Sequence, residues 1–253
     1  MAVKHKAVYM VGFAALSGIL LGASVLIGSL DRSFISDVKA DKNAAVIASA
    51  PAVVLDPGHG GEDGGCQSDN GVCEKDLNLL YAGEIGRILS CAGYPATMTR
   101  TGDSLLYDMY GELNDYTGKK KVYDLKNRVR FANESGASAF ISIHMNRFPE
   151  KKYCGMQVYY SKNDGAAVAL AEKIREYNAA YIQPDNKRQT KKAGSNIFVL
   201  DRATVPAVMV ECGFLSNDRE AELLCSPEYR VKLALSVSCA VMEFLEASTK
   251  SSG

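Results

Sequence analysis

The sequence predicts an α/β domain with a largely parallel sheet, and two observations support that fold class. From Ala52 onward, short apolar runs typical of buried strands alternate with longer segments in which apolar residues recur at spacings of three and four. This alternation runs to the C-terminal part of the chain without an internal repeat or a low-complexity tract. Strands and helices that alternate in this way are typical of a parallel sheet covered by helices.

The elements follow in order along the chain. The predicted strands are 52–55, 94–100 (YPATMTR), 138–144 (SAFISIH), 155–161 (GMQVYYS), 196–200 (NIFVL) and 206–211 (PAVMVE). The predicted helices carry periodic apolar residues over 77–89, 122–132, 170–181 and 233–244. Gly93 and Gly136 are expected to end the first two helices. The polar segment 102–121 has no such period and is predicted to be a long loop, which in a compact domain is often functional.

Composition excludes some classes of function. The 253 residues suffice for one large domain or two small ones, and the formal net charge is zero, so bulk charge does not indicate nucleic acid as a partner. No GxxxxGK[ST] phosphate loop is present, and the glycines from Gly58 onward do not match GxGxxG. The seven cysteines are dispersed and form no CxxC pair. Cys91 and Cys239 fall on apolar helix patterns and are predicted core residues, whereas Cys66 and Cys73 share one loop and could pair.

The N-terminal region has a different character. Lys4 and Lys6 precede an uncharged run over 7–30, which as a helix is long enough to cross a hydrocarbon core of about 30 Å. The small-x-small spacing at 48–50 lies far beyond the run, and 21–23 inside the run is a poor cleavage site, so an uncleaved anchor is favoured over a cleaved signal. The preceding positive charges predict a cytoplasmic N-terminus and an extracytoplasmic remainder. We therefore expect an anchor or signal over 1–30, a linker over 31–51, a folded domain over 52–247 and a tail over 248–253.

Four chemically versatile side chains are expected at one edge of the sheet. His59 follows the first strand, His144 and Glu211 end later strands, and Glu74 opens the first predicted helix. In an open parallel α/β sheet, ligands bind beyond the carboxyl ends of the strands, so these side chains converge there. The chain has three histidines, and the third, His5, belongs to the basic flank of the apolar run.

These residue types suit a catalytic zinc ion. Two imidazoles and one carboxylate form a ligand set that leaves a fourth position for water. A bound zinc ion lowers the pKa of that water and polarises a carbonyl, and a second carboxylate outside the ligand set can transfer protons. Each residue also has a structural interpretation when taken singly: a strand-end histidine is often only hydrogen-bonded, Glu74 would suit a helix N-terminus, and Glu211 could be a buried ion-paired acid.

The motifs VVLDPGHGGEDGG, EKDLNL, SIHMN and VECGFLSN occur in this order between Ala52 and Leu245. Together they resemble the zinc-dependent N-acetylmuramoyl-L-alanine amidases of the amidase-3 type, which are bacterial wall hydrolases. The resemblance implies a twisted, mostly parallel sheet of about six strands flanked by helices, with a catalytic domain over 52–247. It also implies that His59, Glu74 and His144 bind one zinc ion and that Glu211 is the catalytic acid and base.

The resemblance extends to substrate and setting. The bond implied is the amide between N-acetylmuramic acid and L-alanine in peptidoglycan. Asn146 and Arg128 match the family pattern more loosely. Asn146 is either a substrate contact or a turn residue. For Arg128 a structural role is favoured over a substrate contact. Arg147, Phe148 and the strand 155–161 depart from the pattern, which puts substrate specificity in doubt. No helix that could plug the site fits between Ile143 and Met156.

A single catalytic domain behind one membrane segment, 7–30, is most similar to the spore-cortex, germination-specific amidases of endospore-forming bacteria. Those enzymes strip stem peptides so that muramic lactam can form. The loop 102–121 is long and polar enough to be a docking surface for an activating protein partner. Two other interpretations stay open from the residues alone: a different zinc hydrolase of the wall, such as a peptidase or deacetylase, and a wall-binding module without activity.

Overall fold

The structure is a computed structural model that describes residues 52–162 and 165–250. Within them the strands are β1 (Val53–Pro57), β2 (Ala96–Met98), β3 (Ala139–Asn146), β4 (Gln157–Tyr160), β5 (Lys191–Lys192) and β6 (Ala207–Phe214). The helices are α1 (Glu74–Cys91), α2 (Lys120–Glu134), α3 (Gly165–Tyr181), α4 (Phe198–Arg202), α5 (Asp218–Cys225) and α6 (Pro227–Lys250). The predicted anchor and linker lie outside the described residues. None of the described helices is long and apolar enough to cross a membrane.

The strands form one six-stranded sheet in the order β2-β1-β3-β6-β4-β5. The pairs β1–β2, β1–β3 and β3–β6 are parallel, whereas β4 is antiparallel to β6 and parallel to β5. The α/β class and the mostly parallel sheet are therefore confirmed. Because β1, β3 and β6 run in the same direction, their carboxyl ends share one edge of the sheet.

Alternate residues of the strands point to opposite faces of the sheet. Val53 and Leu55 of β1 belong to one buried cluster, which α1, α3 and α6 cover. Val54 lies between them and joins a second cluster on the other face, beneath α2 and α4. Both faces are buried, which explains why the strands read as continuous apolar runs rather than as alternating patterns.

One predicted strand is wrong. The run 196–200 (NIFVL) is not a strand but leads into the short helix α4, after a turn in which Ile197 N donates to Gly194 O at 3.1 Å. Val199 and Leu200 are nevertheless buried. A short apolar run reports burial and does not by itself distinguish a strand from a buried helix. The strand at this edge is instead the exposed pair Lys191–Lys192, which lacks an apolar signal.

Two further differences concern the strands and the cysteines. β3 and β6 continue past His144 and Glu211, so these residues lie within strands rather than at their ends.

All seven cysteines are free, so Cys66 and Cys73 are not paired. The core prediction for Cys91 is wrong, because it is exposed: Leu89 points inward, and two positions further along a helix the side chain faces the other way. Cys239 is half-buried.

Candidate active site

The loop between β1 and α1 carries the first histidine in an unusual conformation. His59 has φ of 62°, in the left-handed region that residues other than glycine adopt rarely and that is often found at functional sites. Two buried arginines hold the loop in place. Arg128 Nη2 donates to His59 O at 2.7 Å, and Arg100 donates through Nε to Pro57 O and through Nη2 to Gly58 O. The loop conformation is thus determined by contacts with α2 and with the segment after β2.

Three of the predicted residues meet around a single carboxylate oxygen. His144 Nδ1 lies 2.8 Å and His59 Nε2 lies 3.2 Å from Glu74 Oε1. One ligand atom from each of the three residues lies within 4.8 Å of the others, close enough to share one metal ion. His144 reaches this point from β3, Glu74 from the first residue of α1, and His59 from the loop between. The predicted convergence on one edge of the sheet is therefore observed.

The Glu74 carboxylate is oriented by neighbouring backbone and amide groups. Its Oε2 accepts a hydrogen bond from Cys66 N at 2.8 Å, and its Oε1 accepts one from Met145 N at 3.2 Å. Asn78 Nδ2, one turn further along α1, lies 3.4 Å from Oε1. Burial alone would raise the pKa of Glu74, but hydrogen bonds and charge from His144 and His59 outweigh it and hold the pKa well below its usual range. Glu74 is therefore a charged carboxylate.

A second carboxylate orients His59. Asp63 Oδ2 lies 3.0 Å from His59 Nδ1, which is an ion-pair distance although the two atoms are not aligned as a hydrogen bond. A carboxylate on the far nitrogen of a metal-binding histidine fixes the ring and makes the other nitrogen more basic. Sequence reasoning missed Asp63, although its position four residues after His59, in HGGED, was a readable signal.

Two glycines make the cluster sterically feasible. A Cβ at Gly58 would overlap the imidazole ring of His144. A Cβ at Gly65 would lie 2.5 Å from Glu74 Oε2 and 2.8 Å from a ring carbon of His59, and Gly65 also has φ of 67°. The glycines of the loop therefore allow the ligands to approach one another, as well as allowing the turn.

Glu211 lies beside the cluster without joining it. It is the residue of β6 that pairs in register with His144 of β3 and with Gln157 of β4. Its Oε2 is buried and has no hydrogen-bond partner among the described residues. Burial is the main cause that raises its pKa to about 7, with a smaller opposing effect of His144. A carboxyl group in this state can accept and release a proton near neutral pH.

Arg128 lies in a buried ion-pair network. Its Nη1 is 2.7 Å from Asp56 Oδ1 and its Nε is 2.8 Å from Asp124 Oδ2, with all three side chains almost fully buried. Together with its bond to His59 O, these contacts give Arg128 a structural role in the loop. Its contact with substrate stays a prediction.

An open cavity of about 440 Å³ leads to the cluster. His59, His144 and Glu211 line it, and so does Asn146, the last residue of β3, where the register between β3 and β6 shifts. The lining also includes residues of the turn and of helix α4, among them Phe198, in the segment predicted to be a strand. The cavity places open space next to the two histidines of the cluster and to Glu211.

Comparison with known proteins identifies the class. Residues 53–243 match the family model described as N-acetylmuramoyl-L-alanine amidase, Amidase_3. The chain belongs to this family, so its class is that of a peptidoglycan amidase.

Individual relatives agree with this assignment. The chain is 35% identical over 199 residues to the germination-specific N-acetylmuramoyl-L-alanine amidase of Bacillus subtilis, covering 78% of this chain and 80% of that protein. It is 28% identical over 282 residues to the N-acetylmuramoyl-L-alanine amidase AmiA of Escherichia coli, covering 95% of this chain and 91% of that protein. Among solved structures, the CwlD amidase from Clostridioides difficile, in complex with the GerS lipoprotein, is 34% identical with a TM-score of 0.72, covering 77% of this chain and 98% of that one.

Proposed function

We propose that this chain is a zinc-dependent N-acetylmuramoyl-L-alanine amidase in which His59, Glu74 and His144 hold one zinc ion. The observation that carries the proposal is the meeting of two imidazole nitrogens and one carboxylate oxygen within 4.8 Å, beside the unpartnered Oε2 of Glu211. Two histidines and one glutamate are a known ligand set of catalytic zinc sites, so the residues fit the ion. Zinc supplies Lewis-acid chemistry: it polarises a carbonyl and makes water more acidic.

Glu211 is the proposed acid and base. Glu211 lines the cavity, and its pKa of about 7 allows it to take the proton of the attacking water and deliver it to the leaving amine of L-alanine. The low-dielectric surroundings that raise the pKa also strengthen its electrostatic interaction with charge that develops in the transition state. Asp63 and the backbone N–H of Cys66 hold His59 and Glu74 in position during this transfer.

The cavity is the proposed binding site for the muramic acid and L-alanine on either side of the scissile amide. Asn146 is placed to hydrogen-bond the substrate, because it lies on the cavity wall two positions after His144. A substrate contact of Arg128 would involve only the cavity-facing part of a guanidinium that is already hydrogen-bonded to Asp56 and Asp124.

The proposed setting is the modification of spore-cortex peptidoglycan on the extracytoplasmic side of a bacterial membrane, with residues 7–30 as the anchor. Similarity to a germination-specific amidase supports this role. An activating protein partner is part of the proposal, since the CwlD amidase was solved together with the GerS lipoprotein. The loop predicted over 102–121 ends at residue 119, where α2 begins. The segment 102–119 is a suitable docking surface because Asp103 links it directly to the loop that carries His59: Asp103 Oδ1 accepts from Gly61 N at 2.7 Å.

Product analysis tests the proposal. The full chain, purified with zinc, is incubated with peptidoglycan, and the released fragments are identified by mass spectrometry beside the Glu211→Gln variant. Free stem peptides that begin with L-alanine, together with peptide-free glycan, are expected from the wild type and absent from the variant. Internally cut peptides would indicate a peptidase, and deacetylated sugars a deacetylase. Zinc binding without any product, even with a partner protein present, would favour a wall-binding module.

A further inference from the structure

The eight residues before α1 form a small hairpin, 66–73, whose backbone sets the position of Glu74. Gln67 and Cys73 form an antiparallel bridge across it. The hairpin also replaces a capping side chain at the start of α1. The N-cap residue Cys73 makes no side-chain hydrogen bond to the helix, and Glu74 N donates to Cys66 O at 2.9 Å instead. The start of the helix, and with it Glu74, is therefore tied to the hairpin.

The two oxygens of Glu74 are oriented by two different parts of the chain. Oε2 accepts from the hairpin, at Cys66 N, and Oε1 accepts from β3, at Met145 N. The same two residues meet again where the Cys66 thiol donates to Met145 O at 3.5 Å. Because Oε1 is the atom that both histidines approach, the orientation of the carboxylate depends on how the hairpin lies against the end of β3.

Arg147 connects these two parts of the chain. It directly follows Asn146, the last residue of β3, and its guanidinium reaches the hairpin. Its Nη1 donates to Gln67 O, and its Nη2 donates to Asp69 Oδ1 at 3.1 Å. A guanidinium presents its donors in a rigid planar fork, so the two bonds fix both the distance and the orientation of the hairpin. Arg147 departs from the family pattern and is not among the described residues that line the active-site cavity.

A lysine supports the same connection from the loop between β3 and β4. Lys151 Nζ lies 2.6 Å from Asp69 Oδ2, so each oxygen of Asp69 faces a different cation. The same ammonium lies 3.1 Å from Asp218 Oδ1 at the start of α5, and Lys151 O accepts from Asn217 Nδ2 at 2.8 Å. The loop that carries both cations is thus anchored to α5, which gives the hairpin a fixed support.

We propose that Arg147 is a positioning residue of the metal site: it holds the hairpin 66–73 against the end of β3 and thereby keeps the Glu74 carboxylate turned toward the two histidines. The inference rests on the proposed function, because it concerns the same zinc ion. Arg147 acts through the hairpin and touches neither the metal nor the substrate. Its effect is therefore on how tightly the site holds zinc, and not on hydrolysis once zinc is bound.

Chelator competition on the full chain measures this effect. Arg147→Ala should bind zinc about fivefold more weakly than the wild type, the size of an exposed ion pair, because the side chains of Arg147 and Asp69 are 43% and 41% exposed. Arg147→Lys should lie in between, because an ammonium keeps the charge without the planar fork. Lys152→Ala changes an exposed cation of the same loop whose ammonium faces the Tyr153 ring, and this matched control should bind zinc like the wild type.

Hydrolysis of peptidoglycan separates a positioning role from a substrate contact. At limiting zinc Arg147→Ala should be slower than the wild type, and excess zinc should restore both kcat and KM. A KM that stays raised at saturating zinc would make Arg147 a substrate contact and overturn the inference.

A double variant tests whether Arg147 acts through the hairpin. Asp69→Asn removes its charged partner there, so Asp69→Asn combined with Arg147→Ala should weaken zinc binding by less than the product of the two single effects. Single effects that multiply in full would mean that the two residues act independently, which overturns the inference.

Hydrogen exchange of the metal-free chain decides the inference separately from the proposed function. In Arg147→Ala the amides of 66–73, including the Cys66 amide that bonds to Glu74, should exchange faster than in the wild type, while α6 exchanges at the wild-type rate. Unchanged exchange of the hairpin, or equal zinc affinity in Arg147→Ala and the wild type, overturns the inference and leaves the proposed function standing. A wild type that binds no zinc would sink the proposed function, and the exchange of 66–73 would still decide whether Arg147 holds the hairpin.

Discussion

At the scale of single residues, two neighbouring glutamates are held in opposite states. Glu74 is surrounded by the two histidines and by two backbone N–H groups, so it stays charged. Glu211 lies beside the cluster and has an oxygen without a hydrogen-bond partner, so burial dominates and its pKa rises to about 7. Pairs of carboxyl groups whose environments push their pKa values apart are typical of sites that need both a fixed charge and a mobile proton.

Glu211→Gln is expected to abolish hydrolysis while leaving metal binding intact. The amide keeps the shape of the side chain but cannot transfer the proton, so kcat should fall by roughly 10²–10⁴-fold. Zinc content is measured by elemental analysis and hydrolysis on peptidoglycan. Glu222→Gln, an exposed acid of α5, serves as the control and should keep full activity. A Glu211→Gln enzyme that retains activity, or one that loses its zinc, would contradict the assigned role.

Asp63→Asn should weaken zinc binding without removing a ligand. The substitution takes away the carboxylate that lies 3.0 Å from His59 Nδ1, and losses of about 10–100-fold in affinity are usual for such outer groups. Competition with a chromophoric chelator measures the affinity. The neighbouring Glu62→Gln, whose side chain is exposed and pairs with Lys120, is the matched control. Equal zinc affinity in both variants would mean that Asp63 does not orient His59.

At the scale of elements, the β1–α1 loop is the part of the fold on which the site depends. It places His59 and leads directly into Glu74, and its glycines leave space for the ring of His144 from β3. The loop contributes little packing of its own and is held by side chains from elsewhere, such as Arg100 and Arg128. A small change in this loop should therefore damage the site more than the fold.

Gly58→Ala should weaken zinc binding, whereas Gly83→Ala should stabilise the fold. At position 58 the new methyl group would overlap the His144 ring, so the ligand must move and zinc binding should fall by at least about tenfold. At position 83, in the middle of α1, a Cβ meets no other atom, and alanine should raise the free energy of unfolding by about 0.5–1 kcal/mol. Chelator competition and urea unfolding measure the two quantities. Unchanged zinc affinity in Gly58→Ala would show that the loop can shift without cost to the site.

At the scale of the whole molecule, one buried ionic network joins most of the elements around the site. Asp56 of β1 pairs with Arg128 of α2 and accepts hydrogen bonds from Thr99, after β2, and from Ser142 of β3, both at 2.7 Å. Asp124 continues the network by accepting from Leu106 N in the segment 102–119 at 2.7 Å. The network therefore couples the sheet, α2 and the long loop to the backbone of His59.

This network predicts a pH dependence of stability. Burial alone would raise the pKa of Asp56, but charge from Arg128 and the hydrogen bonds outweigh it, so the folded pKa lies below the ordinary value of 3.8. The contribution of Asp56 is then fully present above pH 3.8 and is lost as the pH falls through the folded pKa. We expect Asp56→Asn to reduce the steepness with which the free energy of unfolding falls below about pH 4, and to cost about 3 kcal/mol at neutral pH.

Urea unfolding of the full chain between pH 2 and pH 7 measures both effects. Asp108→Asn, at an exposed position outside the network, is the matched control and should follow the wild-type curve. If Asp56→Asn keeps the full wild-type slope below pH 4, the acid sensitivity arises elsewhere in the molecule.

Much of this protein follows from the sequence alone. The α/β class and parallel sheet follow from the alternation of buried runs and amphipathic helices. Strands buried on both faces are continuously apolar, whereas helices buried on one side have apolar residues at spacings of three and four. The convergence of His59, Glu74 and His144 follows from their places near the carboxyl ends of strands and at the start of a helix, because parallel strands share one carboxyl edge.

Only the tertiary structure decided the rest. The run 196–200 was expected as a strand but leads into α4, because an apolar run indicates burial and not backbone conformation. The buried pair of Arg128 with Asp56 and the unpartnered oxygen of Glu211 each depend on contacts between distant segments. Asp63 and His59 share one loop, but buried arginines from elsewhere in the chain hold the backbone of that loop at His59. A carboxylate can be a ligand, an ion-pair partner or a proton carrier. Which role it takes depends on desolvation and on its neighbours in space, and the local sequence determines neither.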